Sequence, residues 1–296
     1  MSLAKDPIGA RPPPASSAPL PTHTLDEAAD RLANFLDRHP RTFVLTGAGL
    51  STDSGIPDYR DRNGAWKRRP PVQHQDFMAH LQVRQRYWGR SLIGWPVVRD
   101  AQPNSAHRHL AELERRDYIG QVVTQNVDRL HQRAGSHQVI DLHGRADEVV
   151  CMGCGERMAR CQVHQRCWQL NPDFRHFTAQ AAPDGDADLE LDFSEFRTPD
   201  CHQCGGILKP DVVFFGANVP KPRLAAALAA LQSSDALLVV GSSLMVFSGF
   251  RFCRHAADWG IPMATLNLGH TRADGLADLK LNARITETLA LTLARL

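Results

Sequence analysis

The chain has 296 residues, a net charge of only +2 and seven cysteines. This length allows one large domain, or a large one with a small one, and either can bury a proper core without disulfides. The near-neutral balance and the lack of a long basic run argue against nucleic acid as a direct partner, and no apolar stretch approaches the roughly 20 residues of a membrane span.

Residues 1–22 are rich in Pro, Ala and Ser and poor in large apolar groups, which predicts a disordered tail. The tail has no apolar core of a secretory signal, few basic residues and several prolines that oppose an amphipathic transit helix. The expected compartment is therefore the cytoplasm, with the mitochondrial matrix as the alternative, and in either the cysteines would be thiols or metal ligands. Thr24 is placed to cap a helix over residues 25–38, where Leu25, Ala28, Ala29, Leu32, Phe35 and Leu36 share one face.

Phe43 to Leu45 then reads as a buried parallel strand, and Gly47, Gly49 and Gly55 follow closely. A strand running into a glycine turn and a helix start is how doubly wound folds receive a dinucleotide pyrophosphate. The spacing departs from the ordinary fingerprint, since five residues separate Gly-Ala-Gly from the third glycine and no acidic residue ends a second strand about 20 residues later. A plain strand-to-helix turn would explain Gly-Ala-Gly alone. It would not explain Ser51, Asp53, Ser54, Asp58, Tyr59 and Arg60 crowding around Gly55 and Pro57.

Lys67, Arg68 and Arg69 read as a solvated loop, residues 74–88 as a helix, and the aromatic stretch from Trp88 to Trp95 as core or as a lid. A capped helix over 105–116 leads into a strand over 119–123 and the polar run Thr124-Gln125-Asn126-Val127-Asp128, with a helix from about 128 to 134. A short strand over 139–142 ends in His143-Gly144. Between 150 and 210 the periodicity collapses around two Cys-x-x-Cys pairs and an acidic patch over 184–195. Alternation resumes with a strand over 212–215, a helix over 223–231, a strand over 236–240, a helix over 244–258, a last strand over 263–268 and a closing helix over 286–296. The expected fold is α/β: a doubly wound, mainly parallel Rossmann-like sheet from residues 23–149 and 208–296, with residues 150–207 as a small inserted zinc-binding module. Part of residues 60–95 forms a mobile lid or joins the small module.

Two constellations carry chemistry. Cys151, Cys154, Cys201 and Cys204 can present four thiolates tetrahedrally at ~2.3 Å from a structural Zn2+, leaving no open position for catalysis. Cys161, His164 and Cys167 are local competitors as ligands, although neither extra cysteine belongs to a knuckle of the right spacing, and Cys253 reads as core. His143, at a strand's C-terminal end, is the candidate base, its near-neutral pKa suiting proton transfer; the alternative is a histidine that satisfies a local backbone group. Gln125, Asn126 and Asp128 read either as site residues or as a helix N-cap group.

The loop Gly-Ala-Gly-Leu-Ser-Thr-Asp-Ser-Gly-Ile-Pro-Asp-Tyr-Arg resembles the cofactor-binding loop of the sirtuins, the NAD-consuming protein lysine deacylases. Gln-Asn-Val-Asp at 125–128, Leu-His-Gly at 142–144, the paired cysteines, Lys-Pro-Asp-Val-Val-Phe-Phe-Gly at 209–216, Gly-Ser-Ser-Leu at 241–244 and Asn-Leu-Gly at 267–269 follow in that family's order. The resemblance covers about residues 24–290. Gly-Ile-Pro-Asp-Tyr-Arg, the Arg-Pro-Pro-Val-Gln-His-Gln-Asp-Phe stretch and the long segment between the cysteine pairs resemble the class II branch.

The resemblance implies that Gly47, Ala48 and Ser51 hold the pyrophosphate of NAD, and that Gly241, Ser242, Ser243, Asn267, Leu268 and Gly269 hold phosphate and adenosine groups, with Ile285 against the adenine. Ile56, Pro57, Asp58 and Arg60 would shape the nicotinamide pocket. Gln125, Asn126 and Asp128 would position the nicotinamide ribose, with Asn126 and Asp128 acting beside His143 in catalysis. Val212, Phe215 and Gly216 would pair with the extended backbone of an acyl-lysine protein or peptide. The implied reaction splits NAD, releases nicotinamide and gives O-acyl-ADP-ribose, with His143 as base. Ala217-Asn218-Val219 lacks the acidic residue that often follows Phe-Gly in the family, and Ala65, Trp66, Arg68 and Arg69 do not match the Tyr and Arg pair by which one branch selects acidic acyl groups. A protein mono-ADP-ribosyltransferase using the same NAD site is the alternative, and a zinc-ribbon binding module with a vestigial nucleotide site is the second. The sequence specifies no oligomeric state.

Overall fold

The computed structural model describes residues 20, 23–61, 63, 65–67, 71–174, 176–177, 189 and 191–296. All of the expected tail except Leu20, together with Arg68, Arg69 and residues 184–188 and 190 of the acidic patch, lies outside the described residues.

Helix α1 (Leu25–Arg38) starts at a capping box in which the Thr24 side chain accepts the Glu27 N–H and the Glu27 side chain accepts the Thr24 N–H. It leads into β1 (Thr42–Thr46). Next come α2 (His74–Ala79), α3 (Leu81–Asp100), α4 (Ser105–Arg115), β2 (Ile119–Thr124), α5 (Leu130–Arg133) and β3 (Val139–Asp141). Then follow β4 (Gly144–Cys151), β5 (Arg157–Ala159), α6 (Arg160–Leu170) and β6 (Leu208–Val212). The chain closes with α7 (Lys221–Gln232), β7 (Leu237–Val240), α8 (Phe247–Trp259), β8 (Met263–Leu266), β9 (Leu279–Leu281) and α9 (Ile285–Leu293).

The larger sheet is parallel, in the order β3-β2-β1-β7-β8-β9. Strands added after β1 go one way and those after β7 go the other, so the order reverses between β1 and β7, the point at which such sheets bind ligands. Burial on both faces explains the unbroken apolar runs in these two strands. Along them, Val44, Leu238 and Val240 enter a core with Leu32, Leu36 and Leu289 of α1 and α9, whereas Phe43, Leu45, Leu237 and Val239 enter one with Leu231 and Phe252 of α7 and α8. The expected doubly wound architecture is thus observed.

The smaller sheet is antiparallel, in the order β5-β4-β6. Val149, Val163 and Leu208 share its core with Phe77, Tyr87 and Trp88 from α2 and α3.

Several expected elements differ. The Val212 to Phe215 run is not a strand of the main sheet: Leu208–Val212 pairs with β4, and the apolar residues beyond it diverge, with Phe214 in the small core and Phe215 edge-on to Tyr59 and Trp66. An apolar run reads alike whether it crosses a sheet or serves two surfaces. The helix expected over 74–88 breaks at His80, which is extended, and α3 continues past Pro96 to Asp100. Trp88 and Trp95 are buried helix residues, and Gly89 is required because a Cβ there would lie 2.4 Å from the Phe193 ring. The helix after Asp128 shortens to four residues because Arg129 takes φ 65°. Strand β9 escaped detection because three residues carry no period, and β5 and α6 occupy part of the aperiodic span.

Candidate active site

The strand ends at the switch point are tied together by backbone contacts that tolerate no side chain. Gly49 N–H donates to Gly241 O at 2.9 Å, and a Cβ on Gly47 would stand 2.7 Å from the Ser242 Cβ. Gly241 has φ 63°, and a Cβ there would meet Leu50 N at 2.5 Å. Leu244, three residues on, also has positive φ (58°), a costly conformation for a leucine that burial of its side chain holds in place.

Polar side chains from β2's end complete the arch. Gln125 Nε2 donates to Ser242 Oγ at 2.9 Å and to Thr46 O at 3.2 Å. Asn126 Nδ2 donates to Gly47 O and to Ser51 Oγ, both at 3.0 Å. Ser51 Oγ donates to Asp128 Oδ2 at 2.7 Å, and Asp128 Oδ1 accepts the Leu130 N–H at 2.9 Å. Asp128 therefore caps the chain after it, as one expected reading had it, and also reaches 77 residues back to the glycine loop. Burial pushes its carboxyl pKa up against the lowering effect of those two hydrogen bonds.

His143 stands where β3 gives way to β4. The following Gly144 has φ 87°, and a Cβ there would lie 2.0 Å from Asp211 O, so no other residue fits between the two sheets. The imidazole is partly exposed. Nδ1 is 3.0 Å from Gln125 O and Nε2 is 2.7 Å from Ser248 Oγ. Burial lowers the pKa to about 4 against the raising effect of the Gln125 carbonyl, with the positive charges of Arg223 and Arg251 lowering it further. At neutral pH the ring is uncharged, and because a carbonyl can only accept, Nδ1 carries the hydrogen. Nε2 keeps its lone pair and accepts from the Ser248 hydroxyl, so the geometry presents a neutral base.

These groups line one cavity of about 990 Å³. It brings together Gly47, Ala48, Ser51, Ile56, Asp58, Arg60, Gln125, Asn126, Asp128, His143, Val212, Phe215, Gly216, Gly241, Ser242, Ser243, Asn267, Leu268 and Ile285. Pro57 and Gly269 stand outside its wall; the Gly269 N–H donates to Asn282 Oδ1 at 3.0 Å. In its wall the Arg60 guanidinium lies 3.8 Å over the Trp66 ring, and Lys67 pairs with Asp58. Ser248, Arg251 and Arg272 also line the wall and were not foreseen. A hydroxyl in the first turn of an apolar helix carries no signal of its own. The arginines of α8 read as surface charge until the helix is placed.

The cysteine pairs form two matching knuckles. Gly155 and Gly205 follow the second cysteine of each pair with φ 78° and 68°, and their N–H groups donate to Cys151 O and Cys201 O at 3.0 and 2.9 Å. The four Sγ atoms of Cys151, Cys154, Cys201 and Cys204 lie within 4.8 Å of one another, with Cys151–Cys204 and Cys154–Cys201 at 3.5 and 3.7 Å. A tetrahedron of ~2.3 Å metal–sulfur bonds needs edges near ~3.8 Å, so this donor set fits a zinc ion. Gly206 is confined beneath it, where a Cβ would meet Cys151 Sγ at 3.0 Å. Cys161 is exposed on α6, Cys167 is buried in the small core, His164 lies against Trp95, and Cys253 is buried in α8. None of them joins the cluster.

The Sir2 family model matches residues 47–248. An NAD-dependent protein deacetylase of Xanthomonas axonopodis pv. citri is 58% identical over 260 residues, spanning 88% of this chain and 89% of the relative. The NAD-dependent protein deacylase Sirt4 of Drosophila melanogaster is 45% identical over 269 residues, spanning 90% and 86%. A solved Sir2 structure with a p53 peptide and NAD+ superposes with a TM-score of 0.70 at 30% identity, covering 90% of this chain and 97% of that one. With the switch-point cavity, the neutral histidine and the tetracysteine cluster in place, these matches make the chain a member of the Sir2 family.

Proposed function

We propose that this protein is an NAD-dependent protein lysine deacylase that transfers the acyl group to ADP-ribose. The observation that carries the reading is His143: a neutral imidazole with its Nε2 lone pair on a cavity walled by the glycine loop and by Asn126, Asp128 and Ser51. The relatives act in name as NAD-dependent protein deacetylases and a deacylase, and acylated lysines of proteins or peptides are the matching substrate class.

NAD bound there would supply an electrophilic ribose carbon and the hydroxyls that accept the acyl group. The cavity-lining backbone of Gly47, Ala48 and Gly241, with Ser51, Ser242 and Ser243, would hold its phosphates, and Asn267, Leu268 and Ile285 would lie at the adenosine end. Ile56, Asp58 and Arg60 would face the nicotinamide. Asn126 and Asp128, locked to Ser51, would fix the ribose. His143 Nε2 would take a hydroxyl proton, while the Gln125 carbonyl on Nδ1 keeps the ring in the required tautomer. Val212, Phe215 and Gly216 form a wall against which an extended substrate backbone can pair. The aromatic group of Tyr59, Trp66 and Phe215 would shield the bound reactants from water.

The finer assignments share this standing. We read the four cysteines as ligands of one structural Zn2+, residues 23–149 and 208–296 as the NAD-binding domain with residues 150–207 as the small module, the chain as a class II sirtuin, and the cytoplasm as its compartment. Two knuckles, two separate sheet cores and the Gly-Ile-Pro-Asp-Tyr-Arg motif support the first three. The test is incubation with NAD and acylated peptides, followed by mass spectrometry. Deacylated peptide with O-acyl-ADP-ribose is expected. ADP-ribosylated protein in its place would favour mono-ADP-ribosyl transfer, and unchanged NAD would leave a zinc-ribbon module with a vestigial site.

A further inference from the structure

Helix α8 brings a cationic group to the cavity that the reaction described above does not use. Phe247, Ser248 and Arg251 all line the cavity, and Arg251 sits three and four residues beyond the other two, on the same helix face. Its Cζ lies 5.1 Å from the Phe247 ring centroid. Arg272 approaches the same ring from elsewhere in the wall, at 6.0 Å, and stacks at 4.3 Å on Phe250. The Arg272 N–H donates to Ser243 O at 2.9 Å, which anchors this part of the wall to the Gly-Ser-Ser turn.

The Arg251 side chain makes no hydrogen bond or ion pair with any described residue, and its Nε is buried without an acceptor. Burial lowers its pKa below the ordinary arginine value. A buried donor left unpaired is costly, and a guanidinium answers it best with a carboxylate taken in bidentate fashion. The cavity's own carboxylates are engaged elsewhere: Asp58 with Lys67, Asp61 with the Asn63 and Ala65 N–H groups, and Asp128 with Ser51 and Leu130. The stretch of wall formed by residues 212–219 has no acidic side chain, Ala217-Asn218-Val219 included. Ser248 joins Arg251's helix face to the His143 Nε2, so this positive field lies at the acyl-transfer end of the cavity.

We propose that Arg251, flanked by Arg272, forms a carboxylate-binding subsite that selects acyl-lysine substrates bearing an acidic group close to the reacting lysine. The carboxylate belongs either to the acyl chain or to a residue next to the lysine in the peptide. The proposal rests on the deacylase reading, so the test includes a readout that needs no turnover. Binding of fluorescently labelled peptides to the full chain is followed by anisotropy in two arms. One arm compares glutaryl-lysine with pentanoyl-lysine in the same peptide, and the other compares acetyl-lysine flanked by Asp with acetyl-lysine flanked by Asn. A charge-assisted pair gives an affinity advantage of about tenfold for the acidic member, smaller at high salt. In Arg251→Gln that ratio falls to about one, and Arg251→Lys keeps part of it, which separates lost recognition from lost fold.

An advantage confined to the glutaryl arm places the carboxylate on the acyl chain, and one confined to the Asp arm places it on the peptide. No acidic advantage in either arm, or one that survives Arg251→Gln, overturns the subsite. Turnover of the neutral acetyl peptide with NAD, measured in parallel, tests the deacylase reading separately.

Discussion

The crevice and the cysteine cluster solve the same problem, holding several polar groups at fixed distances, by opposite means. Each knuckle is local: Cys-x-x-Cys-Gly closes on itself through one backbone hydrogen bond and a glycine at positive φ, and only the meeting of two finished knuckles is long-range. The crevice has no finished piece. Ser51 meets Asp128, Gln125 meets Ser242, and His143 meets Ser248, across 77, 117 and 105 residues. A local motif can lose its metal and leave the parallel sheet standing, whereas the crevice exists only while β1, β2 and β7 stay in register.

The largest expected effect strikes the crevice without disturbing its frame. His143→Ala should lower deacylation by about 10²–10⁴-fold while NAD binding, read by calorimetry, persists; near-normal turnover would remove His143 as the base. Cys204→Ser should do the reverse. Zinc measured by mass spectrometry falls from about one per chain to near none, and the small module loses about 4 kcal/mol or more of stability; stoichiometric zinc in that variant would mean other ligands. Gly144→Ala strikes the seam between the two sheets. Strain at positive φ alone costs about 1–3 kcal/mol, and the contact with Asp211 O adds to it, so a thermal melt unchanged from wild type would refute the proposed close approach.

The pH response sharpens the electrostatic side. Proton abstraction needs neutral His143, so the acid limb of kcat/KM should fall at about pH 4, not near 6.5. The folded pKa lies below the unfolded one, so the unfolded chain binds more protons between these values. Stability from this residue is therefore complete above pH 6.5 and is lost as pH drops toward 4. His107 and His164, also lowered to about 4 mainly by burial, act in the same direction. The smallest effect belongs to Ser248→Ala. Loss of a donor that favours the neutral ring should move the acid limb to higher pH and cut kcat/KM about fivefold. An unmoved limb would mean that the hydroxyl does not tune the base.

The sheet's strands were readable where both faces are buried, because Phe43 to Leu45 and Leu237 to Val240 can be nothing else in a chain of alternating elements. The span from Val212 to Phe215 deceived because the same apolar character serves the small core through Phe214 and the cavity wall through Phe215. His143 was legible by its place at a strand end followed by glycine, although the reason for that glycine, the close pass of Asp211, was not. Ser248 and Arg251 were illegible. Nothing in Phe-Ser-Gly-Phe-Arg tells which side of α8 meets an imidazole more than 100 residues away.

The sequence by itself determined the elements whose signals are short in range: the glycine turn after β1, the two cysteine knuckles, the capped first helix and the central strands β1, β2 and β7. Backbone conformation and ligand spacing depend on neighbours a few residues apart, so a linear reading recovers them. Only the tertiary structure decided which nitrogen of His143 keeps its lone pair, which carboxylate locks Ser51 and where an unanswered guanidinium points. Protonation, burial and charge pairing depend on distance in space, and that distance is set when the parallel sheet closes and brings remote loops to one edge.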